Sequence, residues 1–72
     1  MTRLVIVDDE KKARESVKAL LGLLALDIQI VGEADSIASA RQLITSAAPD
    51  VVLLDVQLSD GTGFDLIQQL KE

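Results

Sequence analysis

Asp8 and Asp9 follow directly on the apolar run Leu4-Val5-Ile6-Val7, and Asp55 follows directly on a second run, Val51-Val52-Leu53-Leu54. If the two runs are neighbouring strands pointing the same way, all three carboxylates meet at one edge of a sheet. Carboxylates at close range repel, and a hard divalent cation relieves that repulsion. Oxygen-only donors favour ions such as Mg2+, which keeps several waters and needs only one or two carboxylates. A carboxylate held beside an open coordination position is placed to attack a phosphoryl group, because that transfer asks mainly for positioning and charge neutralisation. The same residues have a plainer use, since aspartate after a strand also starts turns and caps helices. Two acidic positions behind two apolar runs favour a site. The spacing leaves open which carboxylate would be the nucleophile.

The elements that must position these acids are legible as an alternation. Leu4 to Val7 is continuous and rich in β-branched residues, the pattern of a strand covered on both faces. Ala13, Val17, Leu20, Leu21 and Leu24 then form one stripe of a helix, with Lys11, Lys12, Arg14, Glu15 and Lys18 opposite. Ile28 to Ala34 reads as a second strand, more polar and suited to an edge. Asp35 or Ser36 can cap a second helix whose buried face is Ile37, Ala40, Leu43, Ile44 and Ala47. Pro49-Asp50 ends that helix and launches Val51 to Leu54 as a third buried strand. Ser59-Asp60-Gly61-Thr62-Gly63 is a loop by composition, and Phe64, Ile67 and Leu70, with Leu66 alongside, begin a third helix. Alternating β and α elements predict an α/β fold with a parallel sheet and right-handed crossovers.

Composition removes several classes of function. Seven basic residues against twelve acidic ones give a net charge of −5, a poor surface for nucleic acid or for an anionic membrane. There is no cysteine and no histidine, so disulfides, thiolate sites, serine-type triads and the usual zinc sites are excluded. The apolar stretch Ala19 to Leu26 is far short of the roughly 20 residues that span a bilayer. No targeting segment is evident in the opening residues, and a cytoplasmic location is expected.

Leu4-Val5-Ile6-Val7-Asp8-Asp9-Glu10, then Val51-Val52-Leu53-Leu54-Asp55-Val56-Gln57-Leu58, then Asp60-Gly61-Thr62-Gly63-Phe64 together resemble the first three βα units of a response-regulator receiver domain. The resemblance covers essentially the whole chain. It implies a flavodoxin-like, doubly wound parallel sheet with strand order 2-1-3 for these units; that family order is a known example of the fold class. It also implies that Asp55 is the phosphoacceptor for a sensor histidine kinase, that Asp9 binds Mg2+ directly, and that Asp8 reaches the metal through water. Gln57 matches the position whose backbone carbonyl completes the metal site. Gly63 matches the glycine that lets the loop turn into the third helix, and Ser59 stands where proline is common. The stretch Leu58 to Asp65 further resembles receivers joined to LytTR-type DNA-binding domains. The implied protein is a signalling module and not an enzyme, with any DNA binding carried by an output domain outside this segment.

Lys71-Glu72 ends inside a helical pattern, and three βα units are fewer than a doubly wound domain uses. Residues 1–72 are therefore expected to be the N-terminal portion of a receiver domain. The family's switch Ser or Thr and its phosphate-contacting Lys belong to the fourth and fifth units, so weak metal binding and slow or absent phosphorylation are expected of this chain alone. An unpaired third-strand edge and an apolar first helix predict a homo-oligomer. Two rival readings stand beside the signalling one. A Mg2+-dependent phosphohydrolase or Toprim-like site also gathers acids at strand ends, although here Asp55-Val56-Gln57 lacks a second acid two positions on. A purely structural, self-associating half-domain is the other.

Overall fold

The burial expected of the first apolar run is met. In the computed structural model, which describes residues 1–24 and 27–71, Leu4, Val5, Ile6 and Val7 are each at most 3% exposed. They belong to β1 (Thr2–Val7), the central strand of a three-stranded sheet. β2 (Ile28–Ala34) and β3 (Val51–Leu54) flank it in the order β2-β1-β3, both parallel to it. This is the 2-1-3 order of a flavodoxin-like sheet. β1 and β3 run in register from Leu4 opposite Val51 to Val7 opposite Leu54. The β1–β2 register skips one residue, so Leu4 faces Ile30 while Val5 faces Gly32.

Helices connect the strands. α1 (Lys11–Leu24) joins β1 to β2, α2 (Ile37–Ala47) joins β2 to β3, and α3 (Gly63–Leu70) follows β3. Ser36, one of the two expected caps, starts α2 through a reciprocal hydrogen-bonded box with Ser39. α2 buries Ile37 and Ala40 and lays Leu43 and Ile44 against a core built around Val5, Val7, Ala34, Leu58 and Leu66.

Burial departs from the apolar pattern in three places. β3 is not a buried strand: Val51 and Leu53 are each 39% exposed, because β3 pairs with β1 on one side only. The apolar stripe of α1 is not a buried face either, as none of its described residues is buried and Leu20, Leu23 and Leu24 are exposed. The last two residues of its apolar end, Ala25 and Leu26, lie outside the described residues. In α3 it is Leu66 that enters the core, fully buried, whereas Phe64, Ile67 and Leu70 face outward. Besides the burial expected of β3, a second expectation needs correction, that of the Ser59–Gly63 loop. It contains half of a small antiparallel ladder, β4 (Gln57–Leu58) against β5 (Gly61–Thr62). Thr62 then caps α3 through a box with Asp65.

With so little apolar burial, α1 is fastened by charge. Arg14 donates through Nε to Glu33 at 3.1 Å and through Nη1 to the Asp8 carbonyl at 2.7 Å, and Lys18 donates to Glu33 at 2.8 Å. The Lys18 hydrogen bond, seconded by Arg14 and opposed by partial burial, holds the Glu33 carboxyl below its ordinary value of 4.5. A carboxyl lowered in the folded state stabilises the fold fully above its unfolded value, and that contribution disappears as pH falls through the lowered one. Glu33→Gln is therefore expected to lower the melting temperature near neutrality and to flatten its decline below about pH 4.5, as circular dichroism melts across the acid range would record.

Candidate metal centre

The last rungs of the parallel ladders carry the acids. Asp8 donates its amide to the Ala34 carbonyl at 3.1 Å, extending β1 along β2, and Asp55 donates its amide to the Val7 carbonyl at 2.9 Å, extending β3 along β1. Asp9 is the next residue out from Asp8. One carboxylate oxygen from each of Asp8, Asp9 and Asp55 lies within 4.8 Å of the other two. Asp8 and Asp55 are half-buried and Asp9 is exposed.

Local turns also use these side chains. Asp8 Oδ1 accepts from the Glu10 amide at 2.9 Å, and Asp55 Oδ1 accepts a long 3.4 Å bond from the Gln57 amide. The turn use and the site use are compatible, because an ionised carboxylate offers about four lone-pair positions and one amide occupies one. Among the described residues, no ion pair involves Asp8, Asp9 or Asp55. The nearby guanidinium of Arg14 is committed to Glu33 and to a main-chain carbonyl. Among the described residues, three negative groups thus converge without an ion pair to any of them.

The donor set suits a hard cation. At metal–oxygen distances of about 2.0–2.1 Å, two oxygens on opposite sides of Mg2+ stand about 4.2 Å apart. A spread of up to 4.8 Å fits direct ligands together with an acid acting through water, or a small inward rotation. Gln57, the fourth residue singled out in the sequence, is exposed at the start of β4, opposite Thr62.

Gly63 closes the loop onto the site. Its amide donates to the Val56 carbonyl at 2.8 Å, and a Cβ built there would stand 2.6 Å from the Asp55 carbonyl oxygen and 3.0 Å from Leu54 Cγ. Only glycine permits that approach. Open apolar grooves flank the acids on both sides. One, of about 280 Å³, is lined by Val52, Leu54, Val56, Phe64 and Ile67; the other, of about 320 Å³, by Ile6, Val17 and Leu53. A further cavity of about 350 Å³ around Arg14, Lys18 and Glu33 is separate from the acids.

Residues that the sequence reading passed over also shape this end of the molecule. Arg14 appeared only as one of several charges on an outer helix face, yet it holds the Asp8 carbonyl. Asp60 appeared only as a loop residue, yet its carboxylate accepts from the amides of Ile37 and Ala38 at 2.7 and 3.3 Å. These backbone bonds, Ile37 first, hold the Asp60 carboxyl below its ordinary value. The Asp60-Gly61 pair signals a turn, but nothing local signals a partner 23 residues away.

Comparison with known proteins gives a consistent result. A profile described as "Response regulator receiver domain" matches residues 4–72. The sensory transduction protein LytT of Bacillus cereus is 40% identical over 72 residues, covering 100% of this chain and 29% of LytT. The DNA-binding transcriptional activator DevR/DosR of Mycobacterium tuberculosis is 40% identical over 70 residues, covering 97% of this chain and 32% of the activator. The structure of the MaeR response regulator bound to beryllium trifluoride superposes with a TM-score of 0.88 at 30% identity, covering 99% of this chain and 57% of that one. The chain thus spans about a third or less of the curated relatives' length.

The close packing at Gly63 can be tested directly. Gly63→Ala is expected to destabilise the fold by about 1–3 kcal/mol through forced displacement of the Asp55 carbonyl, measured as a lower urea midpoint with an unchanged m-value.

Proposed function

The chain belongs to the response-regulator receiver family, and from that premise we propose that Asp55 accepts a phosphoryl group from a sensor histidine kinase while Asp8, Asp9, Asp55 and the backbone carbonyl of Gln57 hold Mg2+. The observation that carries this reading is the convergence of three carboxylates within 4.8 Å at the ends of adjacent parallel strands, with no ion pair among them. When bound, Mg2+ supplies the positive charge that lets an anionic phosphoryl group approach.

The chain's own residues supply position. The Val7–Asp55 rung fixes where the Asp55 carboxylate stands. One of its oxygens forms the new bond to phosphorus as the bond from phosphorus to the donor's imidazole nitrogen breaks. The product is an acyl phosphate on Asp55, and the released imidazole takes a proton from solvent. Asp8 and Asp9 take no covalent part; they would hold the cation when it is bound. Among the described residues no Lys or Arg is paired with the three acids, so a bound cation would be the source of positive charge beside Asp55. Across the whole protein, the likeness to the DNA-binding transcriptional activator DevR/DosR supports a DNA-binding output carried outside residues 1–72. Among the described residues, no helix is long and apolar enough to cross a membrane.

The chain incubated with acetyl phosphate and Mg2+ is expected to gain one phosphoryl group slowly, as seen by intact mass. Asp55→Asn or removal of Mg2+ is expected to abolish the gain. Incorporation that survives either change would refute the assignment. Asp9→Asn is expected to weaken Mn2+ binding, used as a spectroscopic probe for the site, by about tenfold or more.

Exposed apolar surface supports a partner of a second kind, another copy of the chain. β3 pairs on one side only, and Leu20, Leu23 and Leu24 on α1 are exposed. Sedimentation at micromolar concentration is expected to show a dimer or larger assembly, and a folded monomer would remove this part of the proposal.

A further inference from the structure

Gln57 stands in a segment that has little to hold it. Between Asp55 and the start of α3, the chain is organised by two antiparallel residue pairs, Gln57 with Thr62 and Leu58 with Gly61. Ladders this short are at best marginally stable on their own. Leu58 contributes an apolar anchor, being buried in the core cluster that also contains Ile37. The polar anchor is Asp60, at the tip between β4 and β5.

Both Asp60 oxygens reach across to α2. Oδ1 accepts from the Ile37 amide at 2.7 Å, and Oδ2 accepts from the Ala38 amide at 3.3 Å. The first turn of a helix leaves its amides without intrahelical partners, and Ser36 already satisfies that of Ser39. The cap of α2 is therefore shared between a local serine and a distant aspartate, and a negative group is favoured at that end by the helix dipole. Gly61 permits the close contact: its φ is 149°, and a Cβ there would stand 2.6 Å from Ile37 Cδ1. α2 packs against β2, and β2 pairs with β1, which leads directly into Asp8 and Asp9. A continuous path of contacts thus runs from the β4–β5 tip to the strand bearing the acidic pair.

We infer that Asp60 is a positioning residue for the metal site, pinning the Gln57 main chain at a fixed place relative to Asp8 and Asp9 by gripping the first turn of α2. The inference rests on the reading of Gln57 as a carbonyl ligand. Asp60 touches neither metal nor phosphoryl group; it acts through the two-strand ladder. Asparagine at this position keeps an acceptor oxygen for the Ile37 amide, whereas alanine keeps none.

The test compares the unsubstituted chain with Asp60→Asn and Asp60→Ala at a temperature where circular dichroism shows all three folded. Mn2+ affinity and amide hydrogen exchange are both measured. Asp60→Ala is expected to weaken Mn2+ binding by about tenfold and to speed exchange at Gln57, Leu58, Ile37 and Ala38 while β1 stays protected. Asp60→Asn is expected to recover most of both. A lower melting temperature with unchanged Mn2+ affinity and unchanged exchange at Gln57 would show a merely structural cap and overturn the inference. If Asp60→Ala does not fold, the Asn variant decides: a small, matched loss of Mn2+ affinity and of protection at Gln57, from the missing charge and second acceptor, supports the anchor, whereas a lower melting temperature with neither changed overturns it. Failure of the unsubstituted chain to bind Mn2+ would instead remove the metal-site reading, with exchange at Gln57 still deciding whether Asp60 holds the loop.

Discussion

Asp55 donates its amide to the carbonyl of Val7, and this last rung between β3 and β1 sets the terms for everything around it. Parallel pairing puts the ends of the two strands on the same side of the sheet, so the acids that follow them have to meet. Four consecutive buried residues in β1 make the register difficult to change, because a slip would carry apolar side chains out of the core. The charge concentration at the strand ends is thus imposed by apolar packing behind it. The protein does not relieve it with a lysine or arginine among the described residues, which leaves the site available to an external cation.

Two of the four cations on α1 are engaged elsewhere. Arg14 and Lys18 converge on Glu33, and Arg14 also reaches the main chain at Asp8. These contacts fasten α1 over the β1–β2 side of the sheet, where its leucines find little to pack against. The same guanidinium that secures the helix also supports the backbone from which the acidic pair projects. Helix attachment and the geometry of the acids are therefore linked through one side chain.

Where each face was covered, sequence pattern and structure agree. The unbroken apolar run at Leu4–Val7 corresponds to a fully buried strand, the α2 stripe to a packed helix, and the βα alternation to the 2-1-3 sheet. The acids at the strand ends could be placed together for the same reason. The pattern misleads at β3, α1 and α3, because hydrophobicity marks a surface suited to burial and does not say that a neighbour is present. Phe64 and Leu66 look alike in sequence, yet only Leu66 meets the core. Asp60 was illegible for a different reason: its turn signal is local, while its partners belong to a helix that lies far back in the chain.

That contact with α2 has an evolutionary corollary. Asp60 grips main-chain amides, which every residue except proline provides. Side chains at positions 37 and 38 can drift without weakening the grip, provided that the bulk of residue 37 still suits the core. Substitutions there need not be compensated at position 60, so paired substitution across related sequences would leave little trace of the link. The connection would surface as a lone invariant acid and as an avoidance of proline at two positions in another helix.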